Sequence, residues 1–512
     1  MLPAFHGLQA GFIPRIHPCV MGRGGVPAEI KFGANQQAAR IIQSVCHLIP
    51  NTRAFLRLNP AKPIMKIHPT RRNFLKSAGA SAGALCLQPS GLFAAATKKP
   101  GDKLNIGFIG TGNQCFGHLG RTLHLGHNVA AFCDVDANQI TKARHHAGDG
   151  AAKATDYNNY LDMLRKEQDL DAVVICTPDH WHAKISMAAI EAGKHVFCEK
   201  PLTHTLGESR QLRSLAQNSK VITQTGNQGS ASGNFRRSIE LIQAGLFGNI
   251  TEIHVWHPQH DWPSGIDRPE GSDPVPEGLD WKAWLGPAPE RPYKAGIYHP
   301  INWRGWYDFG GGSLADFCCH AFNLPVRALE LLYPERIEIS GTELGKESFA
   351  KSCTVSYHFP ARGSRPPVKM HFYSGGDLPP EEATAGHRAT FGSLQRTGCI
   401  LVGEKGQLQS GLWNSDCYVM LDGDERFLGE GNHPVAREIP ISLPRVQGHL
   451  DEWFDACLGG PKVFSDFDFG GHLTEIGLAG IVALRVGKSI DWDGEAMKVP
   501  GMPEADRFIR RT

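Results

Sequence analysis

The stretch Lys103 to Asp134, KLNIGFIGTGNQCFGHLGRTLHLGHNVAAFCD, constrains this chain more than any other. An apolar run, Leu104 to Ile109, breaks into a glycine-bearing turn and a helical pattern, and a second apolar run, Val129 to Cys133, ends on an acid. Strand, glycine turn, helix, strand and acid in that order read as a dinucleotide site. Gly110 supplies the tight turn, and Gly112 lets the backbone approach a pyrophosphate. The pyrophosphate charge then meets helix amides and the positive end of the helix dipole, with Thr111, Asn113 and Gln114 completing the phosphate turn. Asp134 would accept hydrogen bonds from the ribose hydroxyls and repel a 2′-phosphate, so NAD is expected over NADP. The third glycine of the usual spacing is displaced: Cys115 holds its place, and Gly117 comes two residues late.

At 512 residues the chain can bury more than one core, and two folded domains are expected. Lys plus Arg, 53, nearly equals Asp plus Glu, 51, so no nucleic-acid or polyanion partner is implied. Thirteen cysteines occur without a CxxC pair. Several lie in or beside apolar runs and read as small core residues, not as a disulfide framework or zinc site, and no metal is expected.

Residues 1–64 show no sustained periodicity and are expected to be unstructured, or to precede the true start at Met65. Residues 65–96 read as an export signal. Thr70-Arg71-Arg72-Asn73-Phe74-Leu75-Lys76 matches the twin-arginine pattern, a mild apolar segment follows from Ser77 to Leu87, and Ala94-Ala95-Ala96 offers a small-residue cleavage site. The apolar segment is too short for a stable membrane span, so a periplasmic or secreted mature chain is expected.

From Lys103 strands and helices alternate, which predicts a doubly wound parallel sheet over residues 103–228. In such sheets the carboxyl ends of the strands face the cofactor cleft. Thr177 and Pro178 end one strand, and His182 lies one turn into the next helix. His195 to Cys198 delivers Glu199-Lys200-Pro201, and Val221 to Thr225 ends in Gly226-Asn227-Gln228. Thr177, Pro178, His182, Glu199, Lys200, Asn227 and Gln228 are therefore expected along the cleft. A lysine between apolar segments is poised for a lowered pKa and for acid–base work.

Residues 229–512 are expected to form a second, α/β domain. A strand over Ile250 to Trp256 leads into a loop-rich segment through Gly312 that holds six of the ten tryptophans. Flat aromatic faces suit sugar rings, and Trp303-Arg304 is best placed to touch a substrate. Leu314 to Leu332 reads as a helix, whose four-residue spacing stacks Asp316 and His320 on one face, where the carboxylate can orient the imidazole. Later apolar–polar alternation predicts an antiparallel sheet, with helices returning at His449 to Leu458 and Leu473 to Val486.

The fingerprint, the Thr177-Pro178 strand end, the Glu199-Lys200-Pro201 triplet and Asp316-Phe317-Cys318-Cys319-His320 together resemble the Gfo/Idh/MocA oxidoreductase family. The resemblance implies an N-terminal Rossmann domain and a C-terminal α/β domain with a large open, mostly antiparallel sheet, often used to form homo-oligomers. It assigns proton transfer beside the nicotinamide to Lys200, Asp316 and His320. It also implies hydride transfer on a small-molecule carbohydrate. Joined to the export signal it favours tightly held NAD and redox-neutral chemistry through a transient keto-sugar, since no free NAD pool exists outside the cytoplasm. A conventional sugar or polyol dehydrogenase with exchangeable NAD(P), and a non-catalytic sugar-binding protein on the same fold, are the alternatives.

Overall fold

The computed structural model describes residues 98–511 apart from 259–261 and 343. The expected leader and export signal lie outside the described residues. The first domain runs β1 (Asn105–Ile109), α1 (Asn113–His124), β2 (Asn128–Cys133), α2 (Ala137–Ala147), β3 (Thr155–Tyr157), α3 (Tyr160–Lys166), β4 (Ala172–Ile175), α4 (Asp179–Glu191), β5 (His195–Cys198), α5 (Leu206–Gln217) and β6 (Thr223–Thr225). The six strands pair in parallel in the order β3-β2-β1-β4-β5-β6. Every residue of β4 is buried, because helices cover both faces of a parallel sheet. The strand order reverses between β1 and β4, which opens a crevice at their carboxyl ends.

The second domain follows with α6 (Gly233–Gln243), β7 (Ile250–His257), α7 (Trp281–Leu285), α8 (Gly312–Ala321), α9 (Asn323–Ala328), β8 (Arg336–Thr342), β9 (Ser352–Phe359), β10 (Val368–Ser374), α10 (Glu381–Phe391), β11 (Gly398–Gly403), β12 (Gly406–Ser410), β13 (Tyr418–Leu421), β14 (Leu428–Gly429), α11 (His449–Cys457), α12 (Phe467–Val486), β15 (Ile490–Asp491) and α13 (Asp506–Ile509). Nine strands form one open sheet, antiparallel except where β7 and β10 run side by side in parallel. The fold class read from the sequence, a doubly wound parallel sheet plus a large mostly antiparallel one, is the one observed. The single helix expected from Leu314 to Leu332 is two, α8 and α9, which meet at Phe322, with Pro325 in the first turn of α9.

Helix α11 departs from the expected domain layout. Its Leu450, Trp453 and Phe454 pack into the core built by β1, β2, β4 and β5, and the Trp453 and Phe197 rings meet edge-on at 5.7 Å. Truncating such a buried tryptophan removes about 3–5 kcal/mol. Helix α12 joins the two sheets: a Cβ on Gly470 would strike Thr225 of β6, and one on Gly480 would strike Tyr357 of β9. Among the described residues α12 alone is long and apolar enough to cross a membrane, and 78% of its most apolar window is buried inside the fold. The ten described cysteines are all free thiols, nine of them buried.

Candidate active site

A cavity of about 650 Å³ occupies the crevice. Its walls are the strand ends Gly110, Asp134, Thr177 and Lys200, and its far side is Trp303 and Arg304. Gly110 has φ +79°, and a Cβ there would lie 2.5 Å from the backbone nitrogen of Thr177, so only glycine lets β1 turn against β4. A Cβ on Gly112 would meet nothing within 4 Å, which leaves room beside the start of α1. Helix α1 has no side-chain cap and no acid in its first turn, so its free amides and positive dipole end face the cavity unopposed. Asn113 and Gln114 line the cavity, whereas Thr111 is fully buried and not part of its wall.

Asp134 accepts from the Thr111 amide at 2.7 Å and the Asp136 amide at 2.9 Å, which fixes its carboxylate at the rim of the cavity. Burial raises its pKa above the ordinary carboxylate value, against the pull of those amides. The Thr177 hydroxyl is buried beside the cavity without a hydrogen-bond partner. Uncapped amides at the glycine turn, a carboxylate at the end of β2 and an orphaned hydroxyl at the switch point suit a dinucleotide. His182 bridges the Pro201 and Thr177 carbonyls at 2.7 and 2.8 Å, so it ties the ends of β4 and β5 together as well as lining the cavity.

Glu199 is a buried anchor. One of its oxygens, Oε1, contacts His118 Nε2 at 2.6 Å and accepts from Gln114 at 3.0 Å and Gln228 at 2.8 Å. Burial alone would raise its pKa, but these partners and the Lys200 charge lower it from 4.5 to about 2. Gln228 therefore touches the site through Glu199 and lines a separate hollow with Trp413 instead of the cleft. Asn227 is wholly buried, is not part of the cavity wall, and both polar atoms of its side chain lack partners.

Lys200 and Asp316 meet although 116 residues separate them: Nζ donates to Oδ1 at 2.9 Å and to the Asp316 carbonyl at 3.0 Å. The lowered lysine pKa expected from its strand-end position is not found. Burial pushes it down, yet Asp316 and Glu199 outweigh burial and hold it above the ordinary value, while Asp316 itself is held low by Lys200 and Arg304. Arg304 Nε lies 3.5 Å from Asp316, and its guanidinium stacks 4.3 Å from the Trp303 ring centre. The pairing of Asp316 with His320 read from helical spacing is also not made. Both ring nitrogens of His320 are buried without partners, and Trp413 covers the ring with centroids 3.8 Å apart. Burial, then the Lys200 charge, lower His320 to about 3, so it is a neutral imidazole. Neither Asp316 nor His320 forms part of the cavity wall.

Sequence reading passed over His118, Asp179 and Trp413. Asp179 opens α4 on the cavity wall, and burial and Asp316 raise its pKa well above normal; its place directly after Thr177-Pro178 was the available signal. Trp413 gave none, because it reaches the site from a loop between β12 and β13.

The family model for the oxidoreductase family's NAD-binding Rossmann fold matches residues 104–227, and that for its C-terminal alpha/beta domain matches residues 240–357. Glycosyl hydrolase family 109 proteins of Shewanella pealeana and Shewanella baltica are 33% and 31% identical over 205 and 206 residues, 35% of this chain. The chain spans 44% of the length of these curated relatives. Among solved structures, a WlbA dehydrogenase from Chromobacterium violaceum in complex with NADH and UDP-GlcNAcA shares the fold, with TM-score 0.55 and 17% identity over 78% of this chain and 98% of that one. Levoglucosan dehydrogenase in complex with NADH and levoglucosan does so with TM-score 0.50 and 18% identity, covering 76% and 99%. With both of the family's domains matched in order, and the nucleotide crevice where the first requires it, this chain belongs to the Gfo/Idh/MocA oxidoreductase family.

Proposed function

We propose that this protein is an exported NAD-dependent oxidoreductase that acts on a sugar or glycoside, with a redox-neutral net reaction such as glycoside cleavage, and that it self-associates through its second sheet. The observation that carries the catalytic reading is Lys200, whose ammonium is pinned by Asp316 on the wall of the nucleotide crevice. The twin-arginine pattern at Arg71-Arg72 supports export, and the names of the Shewanella relatives support a glycoside. NAD, when bound, supplies a hydride acceptor that can return what it takes.

The chain's own groups divide the remaining work. Two of the three Lys200 N–H groups go to Asp316, which leaves one to hold a sugar hydroxyl oxygen or the carbonyl oxygen that replaces it. With its pKa held up, Lys200 gives a hydrogen bond more readily than it takes a proton. His320, neutral and with both ring nitrogens unpartnered, is the better proton acceptor of the two. Trp303 and Arg304 offer an apolar face and a charge to the sugar from across the cavity.

Denaturing the purified protein and assaying released nicotinamide tests the reading. Bound NAD, with turnover of a glycoside panel in the absence of added cofactor, is expected; protein free of nicotinamide and inert on glycosides would overturn it. Steady NADH production from added NAD and a free sugar would select the plain dehydrogenase, which the names of the structural neighbours favour.

A further inference from the structure

The face of the second sheet turned away from its main core holds a cluster that the nucleotide crevice does not use. Strand alternation sends Ile253 and Val255 of β7, and Met370 and Phe372 of β10, into the core. Glu252, His254 and His371 therefore stand on the opposite face. Because β7 and β10 are in register, His254 lies directly across from His371, and their rings stack at 5.3 Å with 8° between planes.

Each imidazole is held by its other nitrogen. His254 Nδ1 meets the Tyr373 hydroxyl at 3.0 Å, and His371 Nδ1 meets the Ser356 hydroxyl at 2.7 Å. Hydrogen bonding at Nδ1 is how proteins orient a histidine whose Nε2 carries a metal. Both Nε2 atoms turn toward one oxygen of Glu252, at 3.5 Å from His254 and 3.3 Å from His371. Yet Nε2 of His254, on a side chain 1% exposed, makes no hydrogen bond. Three donor atoms thus converge within 4.8 Å of one another.

We propose that Glu252, His254 and His371 bind one divalent transition-metal ion of the zinc type, with water filling the remaining positions. Two imidazoles and a carboxylate are a zinc or iron(II) donor set, and nitrogen donors disfavour magnesium and calcium. Ligand bonds of about 2.1 Å require the donors to close in from their present spacing. Glu252, whose side chain is 46% exposed, can swing to do this while the strand-held histidines stay. None of the three lines the nucleotide cavity, so the site is separate from the crevice.

The test is titration of the untagged, chelator-treated protein with zinc chloride by calorimetry, and with cobalt(II) by visible absorption. One ion per chain is expected, with cobalt bands of a low-coordinate nitrogen and oxygen site. Glu252→Gln and His371→Asn should each weaken binding at least 10-fold, and Ser356→Ala, which frees only Nδ1, by about 10-fold. His433→Asn, at a histidine paired with Asp424 in the turns that flank β14, should leave binding unchanged. Circular dichroism spectra well below each variant's melting temperature confirm that the variants fold. Absence of stoichiometric zinc binding, or binding that Glu252→Gln and His371→Asn both leave intact, overturns the proposal.

Discussion

Replacing Glu199 by glutamine puts the electrostatics of the crevice to a quantitative test. The Glu199 side chain is 5% exposed, so solvent screens little of its interaction with His118, Gln114 and Gln228. Its pKa falls from 4.5 to about 2 in the folded protein, and at 1.36 kcal/mol for each pH unit that amounts to about 3 kcal/mol of stability. Because the folded-state value is the lower one, this contribution is complete above about pH 4.5. It declines below that pH, as the unfolded chain takes up the proton first, and is gone near pH 2. Urea unfolding of wild type and Glu199→Gln, followed by tryptophan fluorescence, should therefore show a gap of about 3 kcal/mol at pH 7 that shrinks from pH 4.5 downward. A gap that stays constant to the lowest pH at which both variants fold would show that the carboxylate's charge is not what the cage holds, and would refute the reasoning.

Three further outcomes follow from the same geometry. Asp316→Asn leaves Lys200 buried without its carboxylate; it should destabilise the fold by about 3–5 kcal/mol in urea titration and lower the lysine pKa, read as faster amine labelling near neutral pH. Gly110→Ala forces a side chain into a left-handed conformation against the Thr177 backbone and should remove more than about 2 kcal/mol, with a fall in melting temperature. Trp413→Ala uncovers His320; diethyl pyrocarbonate should modify that histidine faster than in wild type, as mass spectrometry of the peptide would report.

Much of the first domain was legible because its signals are local. An apolar run, a glycine turn and a terminal acid lie within one short stretch, and each strand end carries its cleft residue with it: Gly110, Asp134, Thr177 and Lys200 line the crevice as strand order requires. The same alternation exposed most strands of the second sheet. Periodicity could not tell that β7 pairs in parallel with β10, or that α11 leaves its own stretch of chain to complete the first core, because both depend on where distant apolar faces meet.

Residue order was enough to name the groups that could do chemistry and the backbone turns that could carry a nucleotide, since covalent geometry and hydrophobic period act over a few residues. Tertiary packing alone decided their protonation and partners. It brought Lys200 to Asp316 across 116 positions and so raised the lysine it had been expected to lower. It left His320, one turn from Asp316 on the same helix, unpaired beneath a tryptophan from another loop. Burial and long-range charge set a pKa, and neither is written in the spacing of residues along a chain.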